Sequence, residues 1–192
     1  MSLDVTLFYL INGLAGRSKI LDAVARLFVN EYFVPTTMAL IVLVLWFAPN
    51  EPARRALHQR MFFQTALAVL LSNTALKGVN LLYFRPRPFA TLDVTRCFYE
   101  PWDSSFPSNP ATVGFAVATA VYLHHRQAGL VMYGLAAAFA LSRVYCGVHY
   151  PLDIVAGALL GSVSAVIVVR QTGFLDPFWD WLIGVGRRLH LA

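Results

Sequence analysis

The pair formed by His149 and Asp153, four residues apart, is the first pattern in this sequence that indicates chemistry. Residues at that spacing lie on one face of a helix or of its first turn. A carboxylate placed there can hold one tautomer of the imidazole and stabilise its cation. The other ring nitrogen of His149 is then free to attack phosphorus as a nucleophile.

Basic and hydroxyl side chains in other polar segments have the properties that phosphate binding requires. Arginine grips phosphate oxygens with a planar fork, and lysine supplies a compact charge. Hydroxyl groups and free amides at the start of a helix also attract anions. The candidate phosphate ligands are Arg143, Arg87, Arg85, Lys77, Ser108 and Asn109.

Each of these signals also has an ordinary structural explanation. A histidine or arginine at the end of an apolar segment is commonly an interfacial anchor, and Arg-Pro-Arg-Pro can be a rigid turn. A serine before a helix is commonly its N-cap. The functional interpretation therefore depends on whether the fold brings these segments together.

The composition indicates an integral membrane protein. Of the 192 residues, 58% are hydrophobic and 13% are charged, whereas soluble domains carry about 25% charged residues. The net charge of +5 comes from basic residues scattered among apolar blocks, which argues against a nucleic-acid partner. The apolar content excludes a disordered chain. We expect one membrane domain over residues 1–192.

Five apolar segments approach the length of about 20 residues that a transmembrane helix needs. They cover residues 32–48, 61–83, 111–123 with an extension to about 108, 129–145 and 151–169. The links 49–60, 124–128 and 146–150 are short, whereas residues 84–106 form a long loop. The predicted fold is an all-α polytopic membrane bundle of five to six transmembrane helices.

The two ends of the chain are too polar for ordinary spans. Residues 2–30 predict two short amphipathic helices, 3–11 and 20–29, that form an interfacial or re-entrant hairpin or, alternatively, a broken sixth span. Residues 174–185 carry aromatic side chains suited to the headgroup region and predict an interfacial helix.

An antiparallel bundle brings the candidate residues to one membrane surface, because the second and fourth spans end there and the third and fifth begin there. Once the basic residues of the anion site are set aside, more Lys and Arg lie on the side of links 49–60 and 124–128. These links are therefore predicted to be cytoplasmic and the site to face outward. Cys97 and Cys146 fall on the outer side, where a disulfide is permitted and a small buried thiol is equally consistent.

The segment SRVYCGVHYPLD, residues 142–153, resembles the third signature of the type 2 phosphatidic acid phosphatase family. That signature consists of Ser-Arg, five residues, His, three residues and Asp. FRPRPF at 84–89 resembles the first signature, and SFPS at 105–108 resembles the start of the second. The N-terminal Asn-Gly-Leu region and the chain length resemble the bacterial undecaprenyl-diphosphatase branch.

The resemblance implies a helical lipid phosphatase of the bacterial inner membrane, facing the periplasm, that needs neither a metal nor a cofactor. By carry-over, His149 is the nucleophile and Asp153 is its partner. The implied phosphate ligands are Arg143, Arg87, Lys77 and Ser108. The branch further implies a role in cell-wall biogenesis and bacitracin resistance.

Two positions depart from the family pattern. The first signature places its lysine seven positions before its arginine, whereas Lys77 precedes Arg85 by eight and Arg87 by ten. The second signature ends in a histidine that protonates the leaving group, and that position here is Pro110. A general acid contributes about 10²–10⁴-fold to a rate, so the proline weakens the chemistry while leaving the fold plausible.

Loss of the acid favours a substrate with a good leaving group. The conjugate acid of an alkoxide has a pKa near that of water, about 15.7, whereas a phosphomonoester has a second pKa of about 6. The sequence therefore predicts a diphosphatase that removes the terminal phosphate of polyprenyl (undecaprenyl) diphosphate through a phosphohistidine. A lipid phosphotransferase and a non-catalytic lipid-phosphate binder or transporter stay open. Membrane lipids are expected partners, and no obligatory protein partner is expected.

The loop 89–106 is interpreted as an interfacial loop, with a lid or a lipid-headgroup contact as the alternative. Glu100 and Asp103 in this loop are candidates to replace the missing acid. The sequence does not fix the distance of either carboxylate from His149.

Overall fold

The computed structural model describes residues 2–188, and every regular element in this range is a helix. The helices in chain order are α1 Leu3–Asn12, α2 Lys19–Val29, α3 Phe33–Phe47, α4 Pro52–Leu82, α5 Pro88–Thr91, α6 Asn109–His124, α7 Arg126–Tyr145, α8 Pro151–Gln171 and α9 Asp176–Arg188. A 3-10 turn at Gly173–Leu175 precedes α9. The predicted all-α class is confirmed.

Helix α6 lies at the centre of the bundle, where it packs against α4, α7 and α8. It has 16 residues, and most of its buried positions are small: Ala111, Thr112, Gly114, Ala116, Ala118, Thr119 and Ala120. Small side chains let neighbouring helices approach closely within a membrane. Because other helices cover α6, it does not need the apolar surface of a lipid-facing helix.

Two glycines bring α8 against the first turns of α6. A Cβ atom at Gly157 would lie 2.5 Å from the carbonyl oxygen of Ser108, and one at Gly161 would lie 2.1 Å from that of Thr112. Both distances are too short for any side chain, so this packing requires glycine. The N–H of Ser108 donates to the carbonyl of Asp153 at 2.9 Å, which holds the starts of α6 and α8 side by side.

Three of the described helices, α4, α7 and α8, are long and apolar enough to cross a membrane. The pair α2 and α3, bent by 58°, raises the number to four if it forms one span. Helix α6 falls short of a full span by length. The total of five to six spans therefore stays a prediction.

The sequence predicts a link over residues 49–60, and most of that stretch is instead helical. Helix α4 begins at Pro52 and continues for 31 residues. Proline is favoured in the first turn of a helix because its missing N–H needs no partner there. The prediction of a link was wrong because it was based on the polarity of these residues. The polar residues after Pro52 include good helix formers, so they can belong to a helix.

The predicted pair of short helices at the N-terminus is present as α1 and α2, each within one residue of its predicted bounds. Asn12, at the predicted break, is buried, and its amide donates to the carbonyls of Thr95 and Tyr145, both at 2.8 Å. At the other end, α9 overlaps the predicted helix 174–185 and packs on α4. The interfacial position of both ends stays a prediction.

Candidate active site

Four helix ends meet at one end of the bundle. The ends of α4 and α7 and the starts of α6 and α8 are linked there by the loop 83–108 and the turn 146–150. A disulfide between Cys97 and Cys146 ties the loop to the turn. Of the two alternatives that the sequence left open for these cysteines, the structure has the disulfide.

His149 is held in one tautomer by contacts on both sides of its ring. The residue is 1% exposed, and its Nδ1 lies 2.9 Å from the carbonyl oxygen of Ser105. A carbonyl only accepts hydrogen bonds, so Nδ1 carries the proton. On the other side, Nη1 of Arg87 lies 3.2 Å from Nε2, and an arginine only donates. Nε2 therefore presents its lone pair, and burial lowers the pKa of His149, which keeps the ring neutral.

Asp153 acts on His149 through charge and not through a direct hydrogen bond. Its Oδ2 lies 3.7 Å from Nδ1 of the imidazole. The same oxygen accepts from the Ser105 hydroxyl at 2.5 Å and from the Tyr150 N–H at 2.9 Å. Helical i, i+4 spacing does not apply, because α8 begins at Pro151, after the histidine. The tautomer is therefore held by the carbonyl of Ser105, a role that the sequence assigned to Asp153.

Arg85 is occupied by two carboxylates. Its Nη1 donates to Oδ1 of Asp153 and its Nη2 to Oδ2 of Asp4, each at 2.6 Å. The guanidinium carbon lies 4.0 Å from the centre of the Tyr150 ring. Burial opposes ionisation of this guanidinium, but the two carboxylates hold the pKa of Arg85 above its ordinary value. Arg85 thus neutralises Asp153 and Asp4, and its role as a phosphate ligand stays a prediction.

Arg87 lies on the Nε2 side of the imidazole. It is buried, and its Nη1 donates to the Val148 carbonyl at 2.9 Å while facing Nε2 of His149. Its Nε donates to the carbonyl of Asp103 at 3.0 Å, and its Nη2 donates to the carboxylate of Asp103 at 2.7 Å. One guanidinium thus connects Nε2 of His149 to a half-exposed carboxylate.

Two buried polar atoms of the predicted ligands, Nε of Arg143 and Oγ of Ser108, have no hydrogen-bond partner in the described part of the chain. The guanidinium of Arg143 stacks on Phe98 and Phe139, 4.5 and 4.9 Å from the ring centres. The Ser108 hydroxyl precedes α6 but does not cap it. Buried polar groups are nearly always paired, so both groups fit an anion as their partner.

The structure places two other predicted ligands at exposed positions. Lys77 is exposed on α4, and Asn109 is exposed at the start of α6. Asn80 precedes Arg87 by seven positions, the spacing of the family's first signature. The Oδ1 of Asn80 is buried without a partner among the described residues. Counted back from Arg87, the spacing of that signature therefore falls on Asn80 and not on Lys77.

Two contributors to the site were missed from the sequence. Ser105 acts through its backbone carbonyl, which no side-chain pattern reveals. Asp4 is buried, and besides Arg85 it binds the N–H of Leu152 at 2.9 Å. A lone carboxylate in the apolar helix α1 was the one signal that could have identified Asp4.

Of the two carboxylates in the loop 89–106 that the sequence offered as replacements for the missing acid, Asp103 lies in the site. Asp103 pairs with Arg87, whereas Glu100 pairs with Arg96.

No group of three or more His, Cys, Asp or Glu side chains within residues 2–188 is arranged to bind a metal ion.

These helix ends enclose a histidine whose unprotonated Nε2 accepts from an arginine, an arrangement suited to phosphoryl chemistry at one end of the bundle. The chain belongs to the PAP2 superfamily, whose sequence profile matches residues 59–176. The matched range runs from α4 to the start of α9 and includes His149, so the resemblance found in the sequence is confirmed.

Similarity to individual proteins supports this family assignment. The chain is 30% identical over 185 residues to undecaprenyl-diphosphatase BcrC of Bacillus subtilis (strain 168), covering 95% of this chain and 91% of that protein. It is 33% identical over 167 residues to bacitracin transport permease protein BcrC of Bacillus licheniformis, covering 86% and 79%. The crystal structure of Aquifex aeolicus LpxE matches with a TM-score of 0.71 at 26% identity, covering 88% of this chain and 96% of that one. The chain is thus a membrane protein of a phosphatase family.

Proposed function

We propose that this protein removes the terminal phosphate of a polyprenyl diphosphate, with undecaprenyl diphosphate as the expected substrate, through a phosphohistidine at His149. The observation that carries the proposal is the pair of contacts made by the imidazole. Nδ1 is committed to the Ser105 carbonyl, and Nε2 faces Arg87 with its lone pair. A neutral imidazole whose Nε2 lone pair faces Arg87 can act as a nucleophile toward a phosphate that this arginine binds. The name of the Bacillus subtilis relative supports the substrate.

The first half-reaction follows from this geometry. Arg87, Arg143 and the Ser108 hydroxyl bind the oxygens of the terminal phosphoryl group, and Nε2 attacks phosphorus opposite the bridging oxygen. The N–P bond forms as the P–O bond breaks, and the lipid monophosphate leaves with the electron pair. Nδ1 keeps its proton. The positive charge that develops on the ring is stabilised by Asp153, 3.7 Å away.

The residue at position 110 supports a diphosphate as the substrate. Pro110 lies in the first turn of α6 and has no proton to donate. A lipid monophosphate leaves readily without an acid because its second pKa is about 6, whereas an alkoxide does not. A transporter would use the same anion site but would gain nothing from an imidazole fixed in one tautomer, so hydrolysis is the better account.

The site is proposed to face the outside of the bacterial inner membrane. Disulfides persist in oxidising compartments and are rare in the cytosol, and Cys97–Cys146 lies at the site end of the bundle. The basic residues within 49–60 and 124–128 lie near the opposite helix ends. The excess of Lys and Arg in cytoplasmic segments then orients the bundle.

The test compares undecaprenyl diphosphate with undecaprenyl phosphate as substrates of the purified protein in detergent. We expect about 100-fold faster phosphate release from the diphosphate, because only the monophosphate needs the missing acid. His149→Ala should abolish release, and His124→Ala, at the opposite end of α6, should not. Pro110→His should raise monophosphate hydrolysis selectively. Equal turnover of both substrates by the wild type would refute the substrate, and full activity of His149→Ala would refute the nucleophile.

A further inference from the structure

Cleavage of a phosphohistidine by water requires a base, because the water molecule must give up a proton as it attacks phosphorus. Pro110 cannot accept that proton. Four carboxylates lie in or beside the site, and each is chemically able to accept a proton from water. They are Asp4, Glu31, Asp103 and Asp153. Their contacts distinguish them.

Two of these carboxylates lie on the side of the imidazole that bears the proton. Asp153 is fully buried and approaches Nδ1, not Nε2. Asp4 is bound by Arg85 and by the N–H of Leu152. Water that attacks a phosphoryl group on Nε2 would approach from the opposite side, so neither carboxylate can serve.

Glu31 is connected to the site only through Arg143, and that contact is long. Its Oε1 lies 3.9 Å from Nη1 of Arg143 and accepts a hydrogen bond from the Tyr99 hydroxyl at 2.5 Å. The phenol thus already occupies the carboxylate oxygen that faces Arg143. Glu31 is the weaker of the two remaining candidates.

Asp103 is connected to the nucleophilic nitrogen through a single guanidinium. Its Oδ1 lies 2.7 Å from Nη2 of Arg87, and Nη1 of the same guanidinium lies 3.2 Å from Nε2 of His149. Because the guanidinium fork is rigid and planar, the carboxylate lies within about 8 Å of Nε2. An attacking oxygen approaches phosphorus to about 3–3.5 Å. Asp103 therefore lies within reach of a water molecule that attacks a phosphoryl group on Nε2.

The loop holds Asp103 at this distance while leaving it open to water. The next residue, Ser104, accepts the N–H of Arg85 at 3.1 Å, and the N–H of Ser105 donates to the Arg85 carbonyl at 2.9 Å. The Asp103 side chain is 51% exposed. Its carboxylate can therefore pass a proton to solvent, which the buried Asp153 cannot do.

We propose that Asp103 is the general base of the second half-reaction, an inference that rests on the proposed function of the site. The oxygen of water attacks the phosphorus on Nε2, and its proton passes to the Asp103 carboxylate. The P–N bond breaks, the electron pair returns to Nε2, and inorganic phosphate leaves. Asp103 then releases its proton to solvent, and His149 is again neutral with its proton on Nδ1.

The experiment separates the two half-reactions in the full-length protein in detergent. Undecaprenyl diphosphate labelled in its terminal phosphate is mixed with excess enzyme and quenched at intervals, and lipid monophosphate, protein-bound label and free phosphate are measured. Asp103→Asn should form lipid monophosphate at nearly the wild-type rate but release phosphate roughly 100-fold more slowly, because a general base contributes about 10²–10⁴-fold. Label should therefore accumulate on the protein, and Asp103→Glu should partly restore release.

The matched control is Asp93→Asn, an exposed carboxylate in the same loop, which should behave like the wild type. If Asp103→Asn slowed both half-reactions equally and no label accumulated, Asp103 would act only by holding Arg87, and the proposal would be overturned. Accumulation of label in Glu31→Gln, and not in Asp103→Asn, would overturn it in favour of Glu31. If His149→Ala kept normal turnover, the proposed function itself would fail, a result that does not involve Asp103.

Discussion

The side chains of Arg85 and Asp153 form a buried ion pair, with 2.6 Å between Nη1 and Oδ1, and the same carboxylate lies 3.7 Å from Nδ1 of His149. Arg87, two residues later, contacts Nε2 on the other side of the ring. The proline between the two arginines favours an extended backbone, and the two side chains bind different partners. Arg85 therefore supports the aspartate on the Nδ1 side of the imidazole, whereas Arg87 lies on the Nε2 side, where the proposed reaction takes place.

Alanine substitutions of the two arginines should separate stability from catalysis. Breaking a buried ion pair costs about 3–5 kcal/mol, and because the Arg85 side chain is 21% exposed we expect Arg85→Ala to fall at the lower end. Arg87→Ala removes a donor to the phosphoryl charge and should lower kcat by roughly 100-fold or more, with a smaller loss of stability. Thermal unfolding in detergent and steady-state kinetics measure the two effects. Identical behaviour of the two variants would contradict this division.

Removal of the Ser108 hydroxyl should weaken catalysis without weakening the fold. The hydroxyl is buried and has no partner in the described chain, so its loss leaves no broken hydrogen bond. A hydrogen bond to a charged group contributes about 1.5–3 kcal/mol, so Ser108→Ala should lower kcat/KM roughly 10- to 100-fold. Ser72→Ala is the matched control, since that buried hydroxyl donates within α4 to the Val69 carbonyl at 3.0 Å. A lower melting temperature of Ser108→Ala with unchanged kinetics would show a structural role instead.

The burial of His149 predicts a loss of stability in acid. Burial lowers the pKa of this imidazole below the ordinary value of 6.5. At pH values between that lowered pKa and about 6.5, the imidazole binds a proton in the unfolded chain but not in the folded chain. The free energy of unfolding therefore falls as the pH falls, by at most about 1.4 kcal/mol per pH unit, and is insensitive to this group at higher pH.

The comparison that isolates this effect is the wild type against His149→Gln, which cannot bind the proton. The stability advantage of the wild type should shrink between about pH 7 and pH 5, because only the wild type loses the contribution of the buried neutral imidazole. Melting temperatures in detergent across this range measure it. A constant difference would argue against a neutral buried ring.

Reduction of the Cys97–Cys146 disulfide should lower both stability and activity. The bond joins residues 49 positions apart, and such a cross-link typically contributes about 2–4 kcal/mol. Cys146 also lies three residues before His149, so the turn that carries the nucleophile should loosen. A reductant should lower the melting temperature of the wild type and leave that of a Cys97→Ala/Cys146→Ala double variant unchanged. Equal melting temperatures with and without reductant in the wild type would contradict the cross-link.

Features that depend on local sequence could be predicted. The bounds of α1 and α2 follow from apolar runs interrupted by polar residues, and the antiparallel order of the spans follows from their short links. That order was sufficient to place His149, Arg143 and Ser108 at one end of the bundle. It also identified the end at which the disulfide forms.

Features that depend on contacts distant in sequence could not be predicted. Arg85 and Arg87 are the same residue type two positions apart, and only the position of Asp4, 81 residues away, shows which one is already paired. The Ser105 carbonyl that fixes the tautomer of His149 has no side-chain signature. Lys77 was proposed as a ligand from its charge, its place near the end of the second span and the family resemblance, whereas its exposure depends on how α4 is rotated in the bundle.

Identification of the phosphorylated atom tests the central claim most directly. The wild-type protein is mixed with undecaprenyl diphosphate labelled in its terminal phosphate, quenched in alkali, which preserves phosphohistidine, and digested for mass spectrometry. We predict label on His149 alone, attached to Nε2, and no label in His149→Ala. Label on Nδ1 or on another residue, or rapid turnover with no labelled protein at any time, would contradict this claim.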